Sequence, residues 1–166
     1  LGENEISVER VDLGAEFTQI NEAQRKIQLK ECTATLSIYY SDNKNNFTQR
    51  LLEDYEYGLS ISEKEMDDVY AYVKKCKELI DKIFTEYDLV LTPAATGSAP
   101  EGLETTGDPV FCRMWTVLGL PAISLPFPRA EGSLPIGVQL VGAINEDAAL
   151  LACAAWLEQL FRNQSA

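Results

Sequence analysis

The sequence contains no histidine. That removes Ser-His-Asp and Cys-His catalysis and every His-ligated metal site. Carboxylates, lysines, tyrosines and cysteines are left as the groups that could move a proton. Cysteine is sparse: Cys32, Cys76, Cys112 and Cys153 stand far apart, with no C-x-x-C pair. This is the pattern of reduced, mostly buried thiols in a cytoplasmic protein. No apolar run approaches the roughly 20 residues of a membrane helix, and no signal-like segment follows Leu1. Basic residues are outnumbered, 14 Lys and Arg against 26 Asp and Glu, for a net charge of −12. This argues against a broad phosphate-binding surface, and nucleic acid is not expected as a partner. Internal repeats, low-complexity tracts and Ser-Ser dipeptides are also absent.

What remains is ordinary globular material. The 166 residues are 46% hydrophobic and 24% charged, enough for one domain with a real core. Residues 6–13, ISVERVDL, alternate apolar and polar and predict a short strand. The stretch from Ala15 to about Tyr40 lacks Pro and Gly and carries an approximate helical stripe through Phe17, Ile20, Ala23, Ile27 and Leu36. A polar turn is expected at 41–46, SDNKNN, then a short helix from Phe47 to Tyr57 that ends at Gly58. Ser62 and Glu65 have the spacing of a capping box. A long helix follows, with one apolar face through Met66, Val69, Tyr70, Val73, Cys76, Leu79, Ile80 and Ile83.

The second half of the chain changes character. DLVLT, residues 88–92, predicts a strand stopped by Pro93. Residues 93–107 have no period, and a loop of that length is usually functional or disordered. In TGDPVFCRMWTVLGLPAISLP, residues 105–125, Asp108 reads as a helix N-cap, Pro109 as the first helical residue and Gly119 as the stop. An apolar strand is expected at 121–126, a turn from Arg129 to Pro135, and a second strand at 136–141 that can pair with the first across the short connection. Asn145 reads as the cap of a last helix, whose buried face is Leu150, Ala154, Leu157 and Phe161. Strands mixed with helices place the chain in the α/β class.

The order of short motifs resembles the C-terminal part of the amidase-signature family. The matching stretches are DLVLTP (88–93), Gly107-Asp108-Pro109, Trp115-Thr116, GLPAISLP (119–126) and SLPIGVQLVG (133–142). The last helix also fits, and residues before 88 match more loosely. The resemblance implies an α/β fold with a mixed sheet flanked by helices, part of an amidase-signature fold. It also implies cleavage of a carboxylic amide through a seryl acyl-enzyme, with a second serine relaying a proton to a lysine base. The Gly- and Ser-rich segment that carries this machinery in the family is not among these residues. The chain therefore reads as the single C-terminal portion, 1–166, of a longer amidase. Its expected partners are the N-terminal catalytic part of the same protein and a small-molecule amide, with self-association through uncovered apolar surface. No cofactor and no metal are implied. The alternative is a non-catalytic binding or regulatory module derived from an amidase.

The expected contribution of this portion is scaffold and one wall of the substrate pocket. Thr92 ends a strand, where ligands gather in α/β sheets, although a hydroxyl there also serves as a turn device. Asp108 can meet a polar substrate group or act purely as an N-cap. Cys112 and Thr116 lie one helical turn apart on one face, and Trp115 is either an apolar pocket wall or core. In the glutamyl-tRNA amidotransferase branch, an arginine before the glycine that precedes the long helix reads a substrate carboxylate. Here that stretch is the acidic LLEDYEYG, residues 51–58, which favours a neutral or modestly apolar amide.

Overall fold

The computed structural model describes residues 6–128 and 132–164. In chain order the elements are α1 (Ile20–Asn43), α2 (Gln49–Ser60), α3 (Glu63–Ile83), β1 (Val90–Pro93), α4 (Val110–Leu118), β2 (Ala122–Pro126), β3 (Gly137–Val141) and α5 (Asp147–Gln164). Short 3-10 turns occupy Ala15–Phe17 and Lys44–Asn46.

The α/β class holds. Among the described residues the strands pair in the order β1-β3-β2, both pairs antiparallel. Alternation of side chains along each strand gives the sheet two distinct faces. On one face Val90 and Val141 stand opposite each other, and both pack into a core with Ile20, Val73, Ile80 and Trp115. On the other face Leu140 and Leu125 pack against Leu150 and Ala154, with Leu157 and Phe161 beside them, as the periodicity of α5 predicts. The sheet thus lies between α5 and a layer built from α1, α3 and α4.

The capping box forms as the sequence predicts. Ser62 Oγ accepts from Glu65 N at 3.2 Å, and Ser62 N donates to Glu65 Oε2 at 3.1 Å. The Ser62 backbone N–H holds the Glu65 carboxyl below its usual range. The apolar face of α3 is buried as the spacing predicts, except that Tyr70 is exposed. At the end of α4, Gly119 takes φ 74 and closes the helix.

Five local expectations are corrected. Residues 6–13 take no regular structure and join no ladder among the described residues; their alternation has no neighbouring strand to bond, and Ile6, Val8 and Val11 are exposed. The polar stretch 41–46 does not break the helix at 41, because α1 runs on to Asn43 before a 3-10 turn. Gly58 does not end α2, which continues to Ser60. The glycine serves a different purpose: a Cβ there would stand 2.1 Å from Thr33 Oγ1 and 2.5 Å from Leu29 O, so it is a point of close approach to α1. The first helical residue of α4 is Val110, one position later than expected, with Pro109 in the cap position. Asn145 sits in the turn before α5 at φ 63, and Glu146, whose carbonyl accepts from Leu150 N at 3.0 Å, occupies the cap position. The predicted turn at 129–135 lies partly outside the described residues.

The chain before α1 is tied down by two tyrosines. Tyr72 donates to Glu16 O at 2.7 Å, and Tyr87 donates to Glu9 Oε2 at 2.9 Å. Burial pushes the Tyr72 phenol up to about 12, and its contact with Cys76 adds to the shift.

Candidate functional site

The candidate residues gather where β1 ends and α4 begins. Pro93 stops the strand and the chain enters a long exposed loop. It returns to helix at Val110, whose N–H donates to Asp108 Oδ1 at 3.0 Å. This bond satisfies one of the open N–H groups of the first turn. Asp108 is exposed, one residue before the cap position held by Pro109. Cys112 then reaches back to the strand: its thiol donates weakly to Ala94 O at 3.8 Å. Thr116, one turn on, donates to Cys112 O at 2.9 Å. Both Cys112 and Thr116 are exposed on the same face of α4.

Thr92 is half-buried on β1, and its hydroxyl donates to Gln139 Oε1 at 3.3 Å. The structure therefore brings Cys112 against Ala94, just past the strand that holds Thr92, with Asp108 just before α4; Thr116, one turn on, faces a groove lined from α1 and α3. Trp115 points the other way. It is 4% exposed, in the core with Leu118, Val73 and Ile80.

Two residues of this region escape sequence reasoning. The register places Thr92, Gln139 and Ser124 in one row across β1, β3 and β2. Gln139 is 7% exposed, a buried amide inside an otherwise apolar strand. That contrast, a lone Gln in GVQLVG, is the available signal, since a buried polar group needs a partner. Ser124 gives no such signal. It lies so close over Gly137 that a Cβ there would stand 2.6 Å from its Oγ. Along this face the sheet passes from buried valines to a polar row and then to a glycine.

On the far side of α1, the acidic stretch of α2 has its own cation. Arg25 approaches Asp54 Oδ1 at 3.7 Å, with its guanidinium 5.2 Å from the centre of the Tyr57 ring. No helix among the described residues is long and apolar enough to cross a membrane.

Residues 11–151 match the family model described as Amidase. The chain belongs to the amidase family. Among curated relatives it is similar to a glutamyl-tRNA(Gln) amidotransferase subunit from Synechococcus sp. (strain WH7803). The two are 37% identical over 105 residues, 55% of this chain and 22% of that protein. The protein of the same name from Aliarcobacter butzleri (strain RM4018) is 35% identical over 103 residues, covering 56% of this chain and 23% of the relative. Among solved structures, an amidase superposes with a TM-score of 0.77 at 25% identity, over 90% of this chain and 36% of the other. A bacterial aryl acylamidase of the amidase-signature family shares the fold, with a TM-score of 0.72 at 19% identity over 91% of this chain and 36% of its own. The amidase chain thus spans about a quarter of the length of the curated relatives it matches.

Proposed function

We propose that this chain is the C-terminal portion of an amidase that hydrolyses a carboxylic amide C–N bond through a seryl acyl-enzyme. In this reading it supplies part of the scaffold and one wall of the substrate pocket, while a preceding part of the protein supplies the serines and the lysine. The observation that supports this reading is the contact of Cys112 with Ala94 at the end of β1, the strand that holds Thr92, beside an exposed loop rather than inside a closed core. Asp108 marks the entrance, and Trp115 backs the wall from inside the core. The exposed apolar residues of the chain, among them Leu91, Phe127, Leu151 and Trp156, support burial against further protein. Exposed apolar residues mark interfaces where they are contiguous. The partner is the preceding catalytic part, and self-association through the same surface is expected when that part is missing. A cytoplasmic location fits the free thiols.

A neutral amide is the favoured substrate, because the stretch 51–58 is acidic and carries no arginine of its own. The test has two steps. Reading the coding sequence upstream of Leu1 is expected to show, in frame, a lysine and then a Gly- and Ser-rich segment with paired serines. Hydrolysis of simple amides is then expected from that longer product and not from residues 1–166 alone. An initiator codon directly before Leu1, or equal hydrolysis by the short chain, overturns the reading.

A further inference from the structure

The two edges of the sheet are unequal. Gly142 N donates to Pro121 O and Phe127 N to Ile136 O, each at 3.0 Å. Alternate residues of an antiparallel strand bond the same neighbour, so Ile123 and Leu125 turn their backbone groups to β3. Ala122 and Ser124 turn theirs out of the sheet, where no described strand pairs with them. At the other edge Ala94 N donates to Gly137 O at 3.1 Å. Leu91 and Pro93 therefore face outward there, and Pro93 has no N–H to offer. β2 thus carries the more open edge. No charged residue stands from Met114 to Pro128 to blunt it, the usual protection of a native edge.

α5 follows this edge. Leu150 and Ala154 pack on Leu125 of β2 and Leu140 of β3, so the helix lies over both strands. It starts where Leu150 meets Gly142 and ends where the Phe161 and Phe127 rings stand 5.6 Å apart. It therefore runs parallel to β2. Val138 and Leu140 face α5 and bond to β2, which for L-residues puts β2 on the right of an upward β3 seen from α5. Counting about 100° per residue from the buried face, Asp147, Leu151, Ala155 and Arg162 form the flank of α5 on the open side. All four are exposed.

We propose that β2 pairs antiparallel with β2 of a second copy, across a twofold axis beside Ile123. Ala122 of each copy exchanges both backbone bonds with the partner's Ser124. Pro126, which lacks an N–H, falls outside the pairing. Three observations select a second copy. The open edge is self-complementary in this register. Strands about 4.8 Å apart set the two α5 helices about 9.6 Å apart, within the roughly 8–10 Å of packed helices. Those helices run antiparallel, so Leu151 meets the partner's Ala155 and Asp147 approaches the partner's Arg162. Copies of a chain with net charge −12 repel, and this seam is an uncharged strand flanked by opposite charges. It gives a place to the self-association expected under the proposed function, and to that extent rests on it; the open edge does not depend on the reaction.

The test is sedimentation equilibrium of the chain from micromolar to millimolar concentration, with backbone amide exchange read by NMR on the same samples. The expected species has twice the 18.4 kDa of one chain. Amides of Ala122 and Ser124 are expected to gain protection as the dimer fills, and that of Leu91 on the other edge to gain none. Ser124→Pro, tolerated where an N–H faces outward, and Leu151→Lys should each weaken the dimer about tenfold or more. Arg162→Asp should weaken it too, and adding Asp147→Lys should restore it. A monomer at every concentration, or a dimer with Ala122 and Ser124 unprotected, overturns the proposal. Should a variant fail to fold, the exchange pattern of the parent decides. Protection of the same two amides in a monomeric longer product also overturns it and gives the edge to the preceding part. Amide hydrolysis by that longer product with no dimer of the short chain removes the seam and leaves the proposed function standing; a dimer without hydrolysis does the reverse.

Discussion

Replacing Gly58 with alanine tests the packing of α2 on α1. The added methyl would lie 2.1 Å from Thr33 Oγ1 and 2.5 Å from the Leu29 carbonyl oxygen. The threonine can rotate away, but the carbonyl is backbone, so the helices must part by several tenths of an ångström. Overpacking of this kind costs about 1–3 kcal/mol. Rotation of Thr33 also breaks its 3.2 Å bond to Tyr55 O, a loss of about 1 kcal/mol. Against this, alanine gains about 1 kcal/mol over glycine inside a helix. The balance is a destabilisation of about 2 kcal/mol, a fall in Tm of roughly 4–8 °C for a domain of this size. Circular dichroism at 222 nm, a helix signal, followed on heating measures it, with the exposed Glu56→Ala on the same helix as a control within about 0.5 kcal/mol of the parent. Adding Thr33→Ala should restore only part of the loss, because the carbonyl remains. A Gly58→Ala protein that melts at or above the parent would refute the close-approach argument and leave helix propensity as the governing effect.

Four further outcomes can be checked on the same chain. Ser62→Ala should lower stability by about 1 kcal/mol in urea. Because the folded Glu65 carboxyl is held below its usual value of 4.5, its contribution is present above that pH and lost as pH falls through the folded value, so Glu65→Gln should flatten the acid limb of the stability profile. Tyr72 has a folded value of about 12 against an ordinary 10.0, so the stability tied to its phenol is complete below 10 and disappears as pH rises toward 12; ultraviolet titration of Tyr72→Phe should lack the latest phenolate step. Thiol labelling should modify the exposed Cys32 and Cys112 first, the half-buried Cys153 later, and Cys76 only on unfolding, because Cys76 is buried and its thiol is pushed up by that burial; rapid labelling of Cys76 in the folded chain would contradict the packing of α3.

The features legible in the sequence are those whose causes are local. The capping box, the apolar face of α3 and the stop at Gly119 each depend on residues within a turn or two, and all three form where the spacing puts them. Gly58 misleads because a glycine suits both a helix end and a helix crossing, and only the distant Leu29 and Thr33 distinguish the two. The alternation at 6–13 fails for a related reason, since a strand exists only where another supplies its hydrogen bonds. Within the candidate site, helical spacing alone puts Cys112 and Thr116 on one face. Thr92, Ser124 and Gln139 meet through sheet register, which no spacing in the sequence reveals.

The order of the strands sets an order of events. β2 and β3 are joined by a short connection, whereas β1 must find β3 across α4 and β2, a loop about four times longer. By loop-closure entropy that pairing starts roughly 1 kcal/mol behind. The hairpin of β2 and β3 can therefore assemble on its own, and β1 is the strand that seals the sheet. Opening should retrace this path, with β1 leaving first and parting Thr92 from Gln139. Amide protons of β1 should then exchange with solvent before those of β3, so that the strand nearest the proposed pocket is also the sheet's most easily opened seam.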